Sequence, residues 1–352
     1  MEPCSTPPTL RLPSRQSEHH VNFRIFPLPL LLATAAFCQA PKGLPGKATT
    51  DETAAQSALT GKASGFVVWS SSREGNHKIY SMSPDGSNLR KLTQGNKTDW
   101  YPRISPDGKR VLFTRSKLDW TAEPDANYPE RWDTWIVGAE GGAEKVLIPN
   151  STWATWNAAG KIVFSRGVDV FECNGDGTGE KKIIDGKTEL KGGIAQNPTM
   201  SSDGKLVAIT LRGSQRSVGV FNLEKRTWFE SASGGGCQMM FFPGGHRVVR
   251  VNPTGNGGTE LYAYELDAEG RHGSLSADQQ KWIDLPGRRS HEYFPKVSFD
   301  GKWLVWGATD RGHDHDIADY EIELVKIGEP AAKAVRLTFH SGNDRWPDIW
   351  TR

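Results

Sequence analysis

The residues best suited to chemistry lie in one short run, RGHDHD, at positions 311–316. In an extended loop, a His-x-His spacing places both imidazoles on the same side, as a transition-metal site would use them. We therefore take His313, His315 and Asp316 as candidate ligands of a divalent metal. Further ligands could come from Asp310, Asp319 or His291. Zinc needs three or four ligands within tetrahedral reach, whereas the spacing fixes only two. The alternative is a solvated loop whose side chains bind their own backbone.

A second group of candidates combines aromatic and charged side chains. An exposed aromatic ring beside a polar group suits recognition of a sugar or a peptide. The candidate ligand-binding residues are Trp100, Tyr101, Trp132, Asp133, His291, Glu292, Tyr293, Arg311, Arg345 and Trp346. An architectural role is the alternative, with rings such as Trp132 and Tyr293 packed in the core. Asp99 and Asp344 each precede a proline by three residues, which predicts that they bind backbone N–H groups of a loop.

Catalytic motifs of other kinds are missing from the sequence. No Gly-x-Ser-x-Gly elbow leads into a helix. The glycines at 234–236 precede a predicted strand and not a helix, so they do not form a phosphate cradle. No nucleophile can be paired with a base, which favours a non-catalytic protein without excluding an enzyme.

The elements that must position these residues begin between Phe66 and Arg115. This stretch contains two SPDG sequences, at 83–86 and 105–108, each between short apolar runs. Pro-Asp-Gly marks a tight reversal, because Pro presets φ and Gly accepts a positive φ. The stretch therefore predicts antiparallel strands at 66–70, 78–82, 89–93, 101–105 and 110–115.

The same pattern repeats along the rest of the chain. A turn glycine followed by a strand recurs at intervals of 41 to 56 residues, at Gly108, Gly160, Gly204, Gly245 and Gly301. Each repeat holds four predicted strands, which is typical of propeller blades. Five units begin near Tyr101, Trp153, Asn197, Cys237 and Tyr293.

The C-terminus predicts how the ring closes. The last residues, NDRWPDIWTR, match the innermost strand that begins DWYPRIS at Asp99. Residues 346–351 should therefore complete the N-terminal blade, whose own innermost strand is missing. We predict an all-β fold, a six-bladed propeller of four-stranded antiparallel blades closed by the C-terminal strand. Such closure removes exposed sheet edges.

The repeats resemble those of the TolB-type β-propellers. The resemblance rests on SPDGSNLRKLT, on SPDGKRVLFTR and on the Asp-x-x-Pro spacing of Asp99 to Pro102, and it covers residues 66–352. It implies a six-bladed propeller and often an exported, protein-binding role. TolB proper carries an α/β domain ahead of its propeller, where this sequence predicts only a linker. Propellers of related repeat type also include oligogalacturonate lyases with a His-rich metal site, although their His-x-His lies on a blade-opening strand.

Charge and the N-terminal residues bear on the compartment. Lys and Arg number 43 against 41 Asp and Glu, with no basic stripe, so we expect no nucleic-acid partner. Arg24 precedes the apolar run 25–37, which is too short to span a bilayer and is typical of an export signal. We expect residues 1–40 to be a leader segment, with translation starting at Val21. Residues 41–65 should form a disordered linker, and residues 66–352 should form the propeller.

Together these observations predict a periplasmic or secreted protein, and a monomer without a transmembrane helix in its mature form. The long loops, which the strand order places on one face, should form the binding site. The predicted function is a non-catalytic scaffold that binds an envelope protein or an oligosaccharide. The alternative is a metal-dependent polysaccharide lyase or hydrolase with a His/Asp site on the rim. No cofactor is indicated beyond the possible divalent metal.

Overall fold

The computed structural model describes residues 46–122, 127–233, 236–253, 258–310, 315–340 and 342–352. Within these ranges the chain forms six antiparallel sheets of four strands each, arranged as the blades of a propeller. The prediction of an all-β, six-bladed propeller is therefore confirmed.

The first three blades follow the chain from the N-terminal side. Blade 1 contains β1 (Gly65–Ser71), β2 (Lys78–Met82) and β3 (Arg90–Lys91). Blade 2 contains β4 (Asp99–Ile104), β5 (Arg110–Ser116), β6 (Trp132–Gly138) and β7 (Lys145–Pro149). Blade 3 contains β8 (Thr152–Trp156), β9 (Ile162–Arg166), β10 (Asp169–Cys173) and β11 (Lys181–Ile184).

The remaining blades have the same order of strands. Blade 4 contains β12 (Gly193–Met200), β13 (Leu206–Gly213), β14 (Ser217–Asn222) and β15 (Thr227–Ser233). Blade 5 contains β16 (Cys237–Phe241), β17 (Arg247–Asn252), β18 (Glu260–Glu265) and β19 (Lys281–Ile283). Blade 6 contains β20 (His291–Val297), β21 (Trp303–Thr309), β22 (Glu321–Lys326) and β23 (Val335–Arg336). In the described part of the chain, three short α-helices accompany the sheets: α1 (Thr50–Ser57), α2 (Gly186–Glu189) and α3 (Ala277–Gln280).

The last strand, β24 (Asp344–Thr351), closes the ring. It is the innermost strand of blade 1 and pairs antiparallel with β1 from Gly65↔Thr351 to Ser71↔Asp344. Ile349 is fully buried in a cluster that joins blades 6 and 1, together with Trp69 and Val305. The predicted closure by residues 346–351 is confirmed, with β24 starting two residues earlier.

The strand order defines two faces. The turns between first and second strands, and between third and fourth strands, lie on one face, which we call the turn face. The loops between second and third strands, and the connections between blades, lie on the opposite loop face. The predicted Pro-Asp-Gly reversals are turn-face turns, and Gly86 and Gly108 have φ values of 85° and 70°. These values lie in the region that glycine enters without steric cost.

The core lies between neighbouring blades. For example, Val68 and Ile79 of blade 1 pack against Ile104 and Val111 of blade 2. Cys173 and Cys237 are buried and not joined by a disulfide. Stability therefore comes from packing between sheets.

Residues 46–65 differ from the disordered linker expected over 41–65. Thr49 and Glu52 form a capping box at the start of α1, which satisfies two helix N–H groups that otherwise lack partners. The helix docks on the closed ring, because Gln56 Nε2 donates to the carbonyl of Leu337 at 2.9 Å. Arg336 also forms a 3.5 Å ion pair with Glu52. This segment is thus an ordered strap on the outside of the closure.

Candidate functional site

One residue in each innermost strand has a positive φ, between 52° and 59°. These residues are Tyr101, Trp153, Asn197, Gln238, Phe294 and Trp346, one from each of the six blades. Every one lies at a break in strand register, where the innermost strand bulges against its neighbour. A positive φ is unusual for a bulky side chain and persists only where the surroundings enforce it. Here it turns the side chain out of the sheet.

Four of these side chains meet on the propeller axis. Trp346 of blade 1 lies 5.3 Å from Trp153 of blade 3, measured between ring centroids, although these blades are not neighbours. Tyr101 contacts both rings at 5.1 Å, and Phe294 lies 4.3 Å from Trp346. Gln238 joins them by accepting a 2.6 Å hydrogen bond from the N–H of Phe294. We call the six positive-φ side chains the axial plug, because their contacts across the ring close the channel.

The predicted aromatic residues are therefore not an exposed rim. Trp100, Tyr101, Trp132, Tyr293 and Trp346 are all at most 3% exposed. The expectation of accessible rings beside carboxylates was wrong for these five. For Tyr101 and Trp346 the physical cause is the bulge, at which each has a positive φ. Trp100 and Trp132 pack against each other, and Tyr293 packs against Tyr320. Whether they contact a ligand through the channel mouth stays a prediction.

The structure nevertheless brings several predicted residues together. The Arg345 guanidinium lies 4.7 Å from the Trp100 ring centroid, and Trp100 lies 4.8 Å from Trp132. Arg345 also forms a 3.0 Å ion pair with Asp316 and donates to the carbonyl of His315. These residues form one cluster between blades 6, 1 and 2, on the loop-face side of the plug. Sequence analysis expected the binding site on this loop face, and that expectation stays a prediction.

His315 is part of the same cluster and covers the plug. Its ring lies 4.8 Å from Tyr293, 4.9 Å from Phe294 and 6.5 Å from Trp346, all in edge-on geometry. His313 and Arg311 lie outside the described residues. Among the residues that the structure does describe, no three His, Cys, Asp or Glu side chains form a group that could hold a metal ion. The metal site at His313, His315 and Asp316 stays a prediction.

Asp99 has a different partner from the one expected. Its carboxylate does not cap loop N–H groups but binds Arg115, with Oδ1–Nε and Oδ2–Nη2 distances of 2.6 and 2.8 Å. Lys78 of blade 1 adds a 3.1 Å ion pair, and Arg115 also binds Glu144. The cause is register: Asp99 and Arg115 are directly opposite in the β4–β5 ladder. The Asp99 carboxylate is fully buried and joins blade 1 to blade 2.

Asp344 occupies the equivalent position in β24 and is also paired through side chains. Its Oδ2 atom lies 2.7 Å from His340 Nε2 and 3.4 Å from Arg73 Nη2. The expectation of backbone partners was wrong here too, because the side chains of His340 and Arg73 reach the carboxylate from neighbouring loops.

Glu292, a predicted ligand-binding residue, is fully buried at the start of β20. Its Oε1 atom accepts a 2.6 Å hydrogen bond from the N–H of Leu285. Burial raises the pKa of Glu292 to about 8, which the hydrogen bond from Leu285 opposes. The side chain therefore holds a loop and is not presented to solvent.

Asp133 and His291, the remaining two predicted ligand-binding residues, are partly exposed, and each contacts neighbouring residues of its own chain. Asp133 accepts a 2.8 Å hydrogen bond from the N–H of Asn150 and forms a 3.3 Å ion pair with Lys117. His291 Nδ1 lies 3.3 Å from the hydroxyl of Ser290.

Sequence reasoning missed the apolar side chains that are accessible on the loop face. Leu118, Trp120 and Tyr128 are 56%, 59% and 50% exposed, and all belong to the loop at 117–131, whose described parts are 117–122 and 127–131. Asn127 is the first residue of the second described part, and it accepts a 2.6 Å hydrogen bond from Gln196 Nε2.

That hydrogen bond fixes where this loop runs. Gln196 lies in the innermost strand of blade 4, whereas the loop starts and ends in blade 2. Asn127, in the second described part of the loop, therefore lies beside the innermost strand of blade 4 on the loop face. On the blade 6 side of the mouth, Ile317 is 54% exposed. Irregular loops carry no periodicity, so the sequence offered no signal that separates these exposed rings from the buried ones.

A cleft of about 440 Å³ lies on the opposite, turn face between blades 1 and 2. Its walls include Ser83 and Asn88 of blade 1, Gly108 and Lys109 of blade 2, and Trp350 of the closing strand. The sequence placed no site there.

Comparisons with known proteins agree with this geometry. A protein TolB homolog from Chlorobium luteolum is 29% identical over 170 residues, which is 47% of this chain and 36% of that protein. The crystal structure of TolB from Acinetobacter baumannii superposes with a TM-score of 0.58 at 13% identity, covering 83% of this chain and 69% of that one. The chain is a TolB-like six-bladed β-propeller.

Other comparisons are more distant. An uncharacterized protein of Agrobacterium fabrum is 33% identical over 54 residues, or 15% of this chain and 18% of that protein. The structure of a nidogen/laminin complex matches with a TM-score of 0.51 at 10% identity, covering 81% of this TolB-like chain and 97% of the other. No protein-family profile matches the chain. The aligned region thus spans about a third of the first curated relative, and the structural matches establish the fold alone.

Proposed function

We propose that this TolB-like propeller is an exported, non-catalytic binding protein of the cell envelope, and that its loop face docks a protein partner. The observation that carries the proposal is the exposure of Leu118, Trp120 and Tyr128 on one loop beside the channel mouth. Trp and Tyr are enriched among the residues that dominate binding energy at protein interfaces.

The chemistry of these side chains favours a protein over an oligosaccharide. Leu118 and, across the mouth, Ile317 are aliphatic and more than half exposed. Aliphatic side chains can be buried against a protein surface, where they contribute about 25 cal/mol per Å² of apolar area. They offer a sugar neither a stacking face nor a hydrogen bond. We therefore propose a protein partner, and a crosslinked oligosaccharide in the experiment below would contradict the proposal.

Export is the second part of the proposal. It rests on the signal-like residues 21–40 and on the likeness to TolB. Within the described ranges, no helix has the length and apolar character needed to cross a bilayer. Fractionation of cells followed by N-terminal sequencing tests this part. We expect a mature chain in the periplasm or the medium that begins after Ala35, Ala36 or Ala40, and cytoplasmic protein carrying residues 1–20 would contradict it.

The docking surface is tested by site-specific photo-crosslinking in living cells, with a photoreactive amino acid at position 128. Trp120→Ser should abolish the crosslinked protein band, because it removes the largest exposed ring of the loop. Leu89→Ser is the matched control, since Leu89 is 52% exposed but lies on the turn face. The proposal fails if both variants keep the band, if both lose it, or if the adduct proves to be glycan.

A further inference from the structure

The six innermost strands continue past the plug residues towards the turn face. Each innermost strand runs from the loop face to the turn face, so the residue two positions after each plug residue lies one level deeper. These residues are Arg103, Thr155, Thr199, Met240, Lys296 and Asp348. Two are cations and one is an acid, which is an unusual composition for the inside of a protein.

Arg103 is a buried cation that forms no ion pair with a carboxylate among the described residues. The residue is 2% exposed, and its guanidinium lies 3.7 Å from the Tyr101 ring centroid, directly against the plug. Its Nη1 atom donates to the carbonyl of Pro102 at 2.7 Å and to that of Pro347, on blade 1, at 3.4 Å. Its Nε atom is buried and has no hydrogen-bond partner among the described residues. Burying a charge is costly unless it is paired.

Lys296 supplies the second positive charge at the same level. Its Nζ atom lies 5.6 Å from the ring centroid of Phe299 and forms no ion pair with a carboxylate in the described part of the chain. Burial lowers the pKa of Lys296, Asp348 opposes the shift, and the like charge of Arg103 adds to it. Lys296, Arg103 and Asp348 occupy the equivalent position, two residues after the plug residue, in blades 6, 2 and 1.

Asp348 offsets only one of these two positive charges, and both of its oxygens accept hydrogen bonds from backbone N–H groups. Oδ2 accepts a 2.8 Å hydrogen bond from the N–H of Ile104, and Oδ1 accepts one of 2.8 Å from the N–H of Ile349. The carboxylate thus joins β24 to β4 and leaves the level with one net positive charge. Thr199, at the equivalent position in blade 4, has a buried hydroxyl without a partner among the described residues.

We propose that the axial channel below the plug binds a small oxyanion, of the size of phosphate or sulfate, between Arg103 and Lys296. These residues belong to blades 2 and 6, and Thr199 belongs to blade 4, so three donor groups alternate around the ring. Lys296 is partly exposed, whereas Arg103 is buried. Charge-assisted hydrogen bonds of this kind are the stronger ones in proteins. The inference does not depend on the proposed docking function.

Titration calorimetry of the purified mature protein with inorganic phosphate, and separately with sulfate, tests the site at constant ionic strength maintained with chloride. We expect one saturable site, and a matching rise in Tm with phosphate concentration. Lys296→Met keeps an unbranched side chain only one atom shorter but removes its charge, and should weaken binding at least tenfold. Lys302→Met is the control, because Lys302 is an exposed turn-face lysine whose Nζ lies 3.1 Å from Asp300.

Two results would overturn the proposal. One is the absence of saturable heat with either anion, and the other is equal binding by the wild type and Lys296→Met. If Lys296→Met does not fold, Asp348→Asn provides a test of opposite sign. Removing the negative charge should tighten phosphate binding, and unchanged or weaker binding would contradict the site.

Discussion

Two ion pairs of nearly equal length allow a direct test of how burial governs the energetics of the loop face. Lys78 Nζ lies 3.1 Å from Asp99 Oδ2, and Lys97 Nζ lies 3.0 Å from Asp119 Oδ1. The side chains of the first pair are 3% and 0% exposed, whereas those of the second are 37% and 68% exposed. Both pairs join a lysine to an aspartate at nearly the same distance, and they differ in burial and in the additional Arg115 partner of Asp99.

Asp99→Asn should destabilise the protein far more than Asp119→Asn. Removing one partner of a buried pair leaves an uncompensated charge and typically costs about 3–5 kcal/mol. An exposed pair is screened by water and contributes about 0.2–1 kcal/mol. Arg115 retains Glu144 as a partner, so the loss falls mainly on Lys78. We expect a decrease in the free energy of unfolding of about 3 kcal/mol or more for Asp99→Asn, and below about 1 kcal/mol for Asp119→Asn.

Urea unfolding followed by tryptophan fluorescence measures both changes at pH 7 in the same buffer. Lys78→Met is the complementary variant, because it removes the cation and leaves Asp99 paired with Arg115. The double variant with Asp99→Asn should be less destabilised than the sum of the single ones, since the two residues interact. The reasoning is refuted if the two aspartate substitutions differ by less than about 1 kcal/mol.

Further predictions concern titration, the closing strand and the turns. The native state keeps the Glu292 proton up to about pH 8, whereas the unfolded state releases it near pH 4.5. The free energy of unfolding should therefore fall as the pH rises between these values. Glu292→Gln should remove this fall when unfolding curves are measured across the pH range. Ile349→Ala should cost about 2–5 kcal/mol and Ile349→Val about 0.5–1.5 kcal/mol in urea unfolding; equal costs would argue against a packed closure. Gly108→Ala should lower Tm more than Gly244→Ala. Both glycines have a positive φ, but only at position 108 would the new Cβ clash with the Trp350 ring. Equal Tm shifts in calorimetry would exclude this clash.

The sequence predicted the architecture because its turns are local. Pro-Asp-Gly and related glycines fix where strands reverse, and the apolar runs between them set the strand lengths. The observed β2 matches the predicted 78–82, and β5 differs by one residue from the predicted 110–115. The match between the C-terminal residues and the start of β4 predicted the closing strand, because equivalent blade positions need equivalent residues.

The burial of the candidate site residues could not be predicted in the same way. The axial plug arises from six bulges, and a bulge depends on register between strands and not on residue type. The partner of Asp99 is 16 residues away in sequence but opposite in the ladder. The strap α1 is short and without a buried face, and its contacts reach Leu337, 281 residues later. Only its capping box, Thr49-x-x-Glu52, was readable from the sequence.

The axial plug also constrains how the two proposed sites can communicate. Four aromatic rings in mutual contact separate the loop face from the channel below. A partner docked at Trp120 would therefore contact the rim without threading the ring. Coupling between sites requires an element with two states that both sites bias, and a close-packed ring cluster offers little room for a second arrangement. We expect Trp120→Ser to change the phosphate Kd less than twofold and Lys296→Met to leave photo-crosslinking at position 128 intact. A larger effect of either variant on the distant site would show that the plug moves.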